Sequence, residues 1–200
     1  MKKKLLVLSS LVLMATCVFG QKAVDLGLSV KWADCNVGAS SPQQVGNYYA
    51  WGETKTKQVY SWETYSLGNN VSTCRNIGEN ICGTKYDAAR QNIGQGWRMP
   101  TAKEIEELIN NCTYVQAIVS GVKGVRFTGK NGNSIFLPLT GYKYKEVEER
   151  TRVGLFVSGN VAVKHKGHAL GLVITSNGEA VVGDNFDWYE GYVIRPVCSK

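Results

Sequence analysis

The residues with the most chemical potential lie near the end of the chain. GDNFDWYEG, residues 183–191, sets Asp184, Asn185, Asp187 and Glu190 around Trp188 and Tyr189. Carboxylate and carboxamide oxygens converging from a flexible loop are what calcium takes. An aromatic ring beside such groups also suits the face of a sugar. Asp184, Asn185, Asp187, Trp188 and Tyr189 are therefore candidate ligand contacts, and a solvated turn is the plainer alternative. The two histidines, His165 and His168, stand in KHKGH, three apart in a basic stretch. A metal pair would need further ligands, and a Ser-His-Asp site needs a geometry that spacing does not supply. Exposed polar histidines are the simpler reading. Glu104, Glu106 and Glu107 read as helix cap and solvent face before they read as acid/base groups. No catalytic residue is assigned, an enzyme is not expected, and hydrolysis is the weakest of the readings.

A second concentration of chemistry is aromatic. Tyr48, Tyr49, Trp51, Tyr60, Trp62 and Tyr65 fall within one loop-rich stretch. Exposed loop aromatics mark carbohydrate or protein contacts, whereas buried ones pack. Packing is the reading for Tyr48, Tyr49 and Trp51. Tyr60, Trp62 and Tyr65 are balanced between the two, and Trp62 is carried forward as a candidate contact.

The elements that must position these residues follow from pattern. Val24, Leu26, Leu28, Val30 and Trp32 alternate with polar residues and glycine, which predicts a half-buried strand. Residues 52–84 read as long irregular chain, and Tyr86–Arg90 as one or two helical turns. Pro100 and Thr101 open the clearest helix, with Glu104 completing a capping box and Ile105, Leu108, Ile109 and Cys112 on one face. In GWRMP, the alternation points Trp97 and Met99 into a core and Arg98 outward, to a nearby carboxylate. Asn131-Gly132 and Asn177-Gly178 mark two hairpins, and GYVIRPV reads as the terminal strand. This order predicts a single α+β domain over residues 21–200: one twisted antiparallel sheet, one or two short helices, and long loops.

The N-terminus predicts export. Lys2, Lys3 and Lys4 precede an apolar run from Leu5 to Val18, the form of a signal peptide over residues 1–20, with cleavage between Gly20 and Gln21. Lipid attachment at Cys17 is the rival, disfavoured by Thr16 before it. The product would reside in the periplasm, on the outer surface or outside the cell, without membrane insertion. The net charge is +7, three of those charges lie in Lys2–Lys4, and the remaining +4 is unclustered. Such a mild, interspersed excess excludes a nucleic-acid stripe. Cys35, Cys74, Cys82, Cys112 and Cys198 remain, an odd number. Export favours pairing, with Cys74–Cys82 as a local bridge and a second bridge between two of Cys35, Cys112 and Cys198. None has the spacing of a zinc or redox site.

AVDLGLSVKWADCNVGA, GNYYAWGE, YDAARQNIGQGWRMPTAKEIEELI, GNSIFLPLTGY and GYVIRPV together resemble, in order, the Fibrobacter succinogenes major paralogous domain. That family is abundant in exported proteins of Bacteroidetes and Fibrobacteres. The resemblance runs from Ala23 to Val197 and implies a C-type-lectin-like fold, distantly similar to formylglycine-generating enzymes. It implies no activity. The reactive cysteine pair of those enzymes is not matched, since Cys198 alone lies near the chain end. The Glu-Pro-Asn or Gln-Pro-Asp and Trp-Asn-Asp tripeptides of calcium-dependent lectins are also missing from the sequence. No cofactor is expected, and calcium rests on residue type without a motif. Family members commonly carry Tyr-Trp-Ser-Ser before their last strands, where this chain has GLFVSGNVAVKH. The expectation is a non-catalytic binding module for a glycan or an envelope protein, or else a structural component of a surface assembly.

Overall fold

The computed structural model describes residues 21–149 and 152–200, so the expected signal segment and Cys17 lie outside the described residues. The protein is α+β and mostly β. Its strands are β1 (Ala23–Val24), β2 (Lys31–Ala33), β3 (Thr113–Val119), β4 (Val122–Thr128), β5 (Ser134–Pro138), β6 (Tyr142–Tyr144), β7 (Val147–Glu149), β8 (Gly154–Val161), β9 (His168–Ile174), β10 (Ala180–Asp187) and β11 (Val197–Cys198). A 3-10 turn covers Trp62–Thr64, and two helices, α1 (Ala88–Ile93) and α2 (Ala102–Asn111), lie between β2 and β3. Among the described residues no helix is long and apolar enough to cross a membrane.

The helix α2 forms as its sequence dictates. Thr101 accepts a hydrogen bond from the Glu104 N–H, and the Glu104 carboxylate accepts one from the Thr101 N–H, closing the capping box. Ile105, Leu108 and Cys112 are buried, while Glu106 and Asn110 face solvent. Glu107 does more than expected: it accepts from both the N–H and the hydroxyl of Ser29, tying the helix to the N-terminal segment. Arg98 pairs with Glu104 through two contacts, Nη1–Oε2 at 2.8 Å and Nη2–Oε1 at 2.5 Å. Met99 is buried as predicted. Trp97 is only partly so, because it closes a turn onto the Gly94 carbonyl.

The single sheet of the sequence reading is replaced by several small antiparallel ones. β1-β2-β11, β3-β4-β5 and β10-β9-β8 are three-stranded, and β6-β7 is a hairpin. Register breaks between Val157 and Val161 and between Gly183 and Phe186 interrupt the ladders. Bulges of this kind bend a strand and end regular pairing. The continuous strand expected over Val24–Trp32 also divides. Ala23 and Val24 pair with Ala33 and Trp32, so residues 25–30 make the connection. Asp25 accepts from the Gly27 N–H there, and Gly27 takes φ 79°. Both Asn-Gly hairpins stand as predicted, joining β4 to β5 and β9 to β10.

Two buried polar side chains organise the irregular chain. The Asp87 carboxylate is fully buried and accepts from the N–H groups of Gly83, Arg90 and Met99 at 2.7, 3.0 and 2.9 Å. It thereby caps α1 and fastens the Trp-Arg-Met-Pro segment beside it. Arg195, also fully buried, donates to Asn36 Oδ1, to the carbonyls of Ala33 and Asp34, and to that of Phe136. Burial pulls its guanidinium down to about 10.

The expected disulfides do not form: Cys35, Cys74, Cys82, Cys112 and Cys198 are all unpaired thiols. Between Cys74 and Cys82 the chain turns at Asn76 and at Asn80, and buried Ile81 is held to the Gly159 carbonyl. Cys82 is thereby placed beside Pro100 and Gly159, whereas Cys74 lies over Gly68, where a Cβ would meet its Cα at 2.7 Å. Burial pushes the Cys82 thiol up to about 12 and the Cys35 thiol up to about 11, the latter helped by Asp34.

Candidate functional site

The end of β10 and the turn after it gather most of the predicted contacts. The bulge between Gly183 and Phe186 resets the register so that Asp187 stands opposite His168. His168 Nε2 then lies 3.4 Å from Asp187 Oδ1, and His165 Nδ1 lies 2.9 Å from Asp184 Oδ2. The histidines are therefore partners of the acidic stretch rather than isolated surface groups. Sequence spacing could not reveal this, because the pairing depends on the bulge. Asn185 is exposed within the bulge. Burial raises the Asp187 carboxyl above its ordinary range, with His168 opposing.

The turn continues through Glu190, whose N–H donates to the Asp187 carbonyl. Glu190 Oε2 accepts from the Tyr192 hydroxyl at 2.5 Å, and that hydroxyl accepts from the Asp187 N–H. Burial pushes the Glu190 carboxyl up to about 7, with Asp187 adding repulsion and the Tyr192 hydrogen bond opposing. The Tyr192 hydroxyl is held above its ordinary range by its own burial and by Glu190.

Trp188 and Tyr189 point to different neighbours and make two distinct surfaces. Tyr189 packs on Trp62 with ring centroids 4.7 Å apart and on Tyr144 at 6.3 Å. Trp62 in turn meets Tyr65 edge-on at 5.8 Å. Trp62 and Tyr189 are half-buried and Tyr144 is exposed, so this patch is accessible, whereas Tyr60 and Tyr65 are core. The packing reading for Tyr48, Tyr49 and Trp51 also stands, all three being buried.

Trp188 faces the other way, into a cleft of about 340 Å³. It stacks on buried Trp51 at 5.4 Å with an 18° interplanar angle. Its backbone is fixed on both sides: the Trp188 N–H donates to the Gly167 carbonyl and the Trp51 N–H to the Trp188 carbonyl. One wall is the loop 71–79, the other the segment from Val161 to Lys166. The Trp51 indole donates to the Ser158 carbonyl, but the Trp188 Nε1–H is buried without an acceptor. The cleft's polar residues, Arg75, Asn76, Glu79 and Lys166, were not legible beforehand, because they come from two segments almost ninety residues apart.

Among the described residues no group of three or more His, Cys, Asp and Glu is placed to hold a metal ion. Asp184 and Asp187 are each turned to a histidine. The arrangement therefore offers aromatic faces bordered by carboxylate, amide and basic groups, which suits recognition. No family model matches the chain, and neither does any curated protein or solved structure.

Proposed function

We propose that this protein is an exported, non-catalytic binding module of the Fibrobacter succinogenes major paralogous domain type, with a C-type-lectin-like fold. It recognises a glycan through the aromatic surfaces on either side of the 187–190 turn. The observation that carries this reading is the gathering of Trp62, Asp184, Asn185, Asp187, Trp188 and Tyr189 about one turn on a scaffold of short sheets. Rings with hydrogen-bonding groups around them are what a sugar face needs. The proposal includes cleavage after Gly20, so intact mass spectrometry should find Gln21 at the mature N-terminus and no lipid on Cys17.

A glycan array, run with and without calcium, tests the reading. Binding that Trp62→Ala/Tyr189→Ala or Trp188→Ala weakens supports it. No glycan binding in either condition, with a stable protein partner recovered from envelope extract, sinks it. That second outcome belongs to a structural component of a surface assembly, a reading favoured by β3. This is an edge strand of seven residues without charge or proline, and its Val115 and Ile118 are 62% and 67% exposed. Such an edge can pair with another chain.

A further inference from the structure

The Trp188 cleft carries chemistry that the aromatic patch does not. Arg75 and Lys166 line it, and neither forms an ion pair among the described residues. Two cations beside an apolar wall favour an anionic ligand that also has an apolar face. Glu79 and Asn76 line the same cleft. A ligand with one carboxylate per ring can turn that group to Arg75 and Lys166 and its hydroxyls to Glu79 and the Asn76 amide oxygen, whereas a densely sulfated chain would also set negative charge against Glu79. The volume, about 340 Å³, is near the lower end of the roughly 300–1,000 Å³ of small-ligand sites.

The site is also built in advance. Trp188 is clamped by two backbone hydrogen bonds and by its stack on Trp51. The loop wall is turned by Asn70, which accepts from the N–H groups of Ser72 and Thr73, and by Asn76, which accepts from that of Gly78. The ring face and the loop backbone therefore need little ordering on binding, and the cost that remains is that of fixing the exposed Arg75 and Lys166 side chains.

We infer that the Trp188 cleft binds an acidic oligosaccharide of the uronic-acid class. A sugar ring lies against Trp188, its carboxylate is met by Arg75 and Lys166, and its hydroxyls by Glu79 and Asn76. This rests on the glycan-binding reading above and adds the site and the charge of the ligand.

The test uses tetrasaccharides of galacturonate, alginate and hyaluronan, titrated by tryptophan fluorescence and calorimetry. Each is paired with its methyl ester, which keeps the sugar and removes the charge. At least one acid should bind, its ester at least tenfold more weakly, and rising salt should weaken the acid alone. Arg75→Gln/Lys166→Gln changes exposed side chains only. It should cost at least tenfold in affinity for the acid while leaving the melting temperature in place. Equal binding of acid and ester, equal binding of a poly-glutamate peptide, an unaffected double variant, or no binding by any of the three acids overturns the inference. Array hits that depend on Trp62 and Tyr189 would then leave the broader glycan reading standing, whereas a wholly negative array removes both.

Discussion

Asp87→Ala removes a carboxylate that three segments share, and its cost can be worked group by group. The Met99 N–H is buried, and losing its one acceptor among the described residues costs about 1–3 kcal/mol. Loss of the N-cap of α1 at Arg90 adds about 1 kcal/mol. The Gly83 N–H is partly exposed and recovers water, so it adds little. The sum is about 2–4 kcal/mol, a large part of the roughly 5–15 kcal/mol that holds a domain together. In urea, with a slope of about 2 kcal/mol per molar, the unfolding midpoint should fall by about 1–2 M. Asp87→Asn keeps one acceptor oxygen but turns an NH₂ group toward a backbone donor, so it should lie between the two. Refutation would be an Asp87→Ala midpoint within 0.3 M of wild type at unchanged slope, or an Asp87→Asn protein less stable than Asp87→Ala.

Glu190, raised to about 7 by burial, binds its proton more tightly folded than unfolded. Its contribution is complete below the ordinary glutamate range and fades as pH rises through 7. Glu190 is partly exposed and solvent screens part of this effect, so wild type should lose up to about 1–2 kcal/mol between pH 4.5 and 7.5, and Glu190→Gln should flatten most of that slope in urea melts across the range. Arg195→Lys keeps the charge but cannot reproduce four hydrogen bonds from one planar fork, so it should destabilise by about 2–4 kcal/mol. A loss below about 1 kcal/mol would show that the fork is dispensable. The thiols give the remaining prediction: at pH 8 the native protein should react slowly with a thiol reagent at Cys35, Cys82 and Cys112, and all should react in denaturant. Mass spectrometry showing a Cys74–Cys82 bridge would contradict the structure directly.

Local chemistry was the legible part of this chain. The capping box, the Arg98 carboxylate partner and both Asn-Gly hairpins need only neighbours a few residues away, and all are present. The alternation from Leu26 to Trp32 was half legible. Leu26, Leu28, Val30 and Trp32 are all buried, yet residues 25–30 are not strand. Periodicity reports which side chains leave water, and ladder hydrogen bonds require a partner that the sequence does not name. The same limit explains the site. GDNFDWYEG supplied the candidate residues, but a bulge decided that Asp187 would meet His168, and the Trp188 cleft takes its walls from distant segments. Asp87 escaped notice because one carboxylate serving three N–H groups looks, in sequence, like any helix cap.

The sheet that holds β1 and β11, the first and last strands of the described residues, also has a mechanical meaning. β1 and β11 each run antiparallel to β2 on its two sides, so they run parallel to one another, about 10 Å apart. Tension between Gln21 and Lys200 would drag them in opposite directions along β2, loading both ladders in shear instead of unzipping them. Arg195, bonded to the carbonyls of Ala33 and Asp34 at the end of β2, stands where that load would pass. A domain tethered at one end and pulled at the other would hold until those bonds failed together.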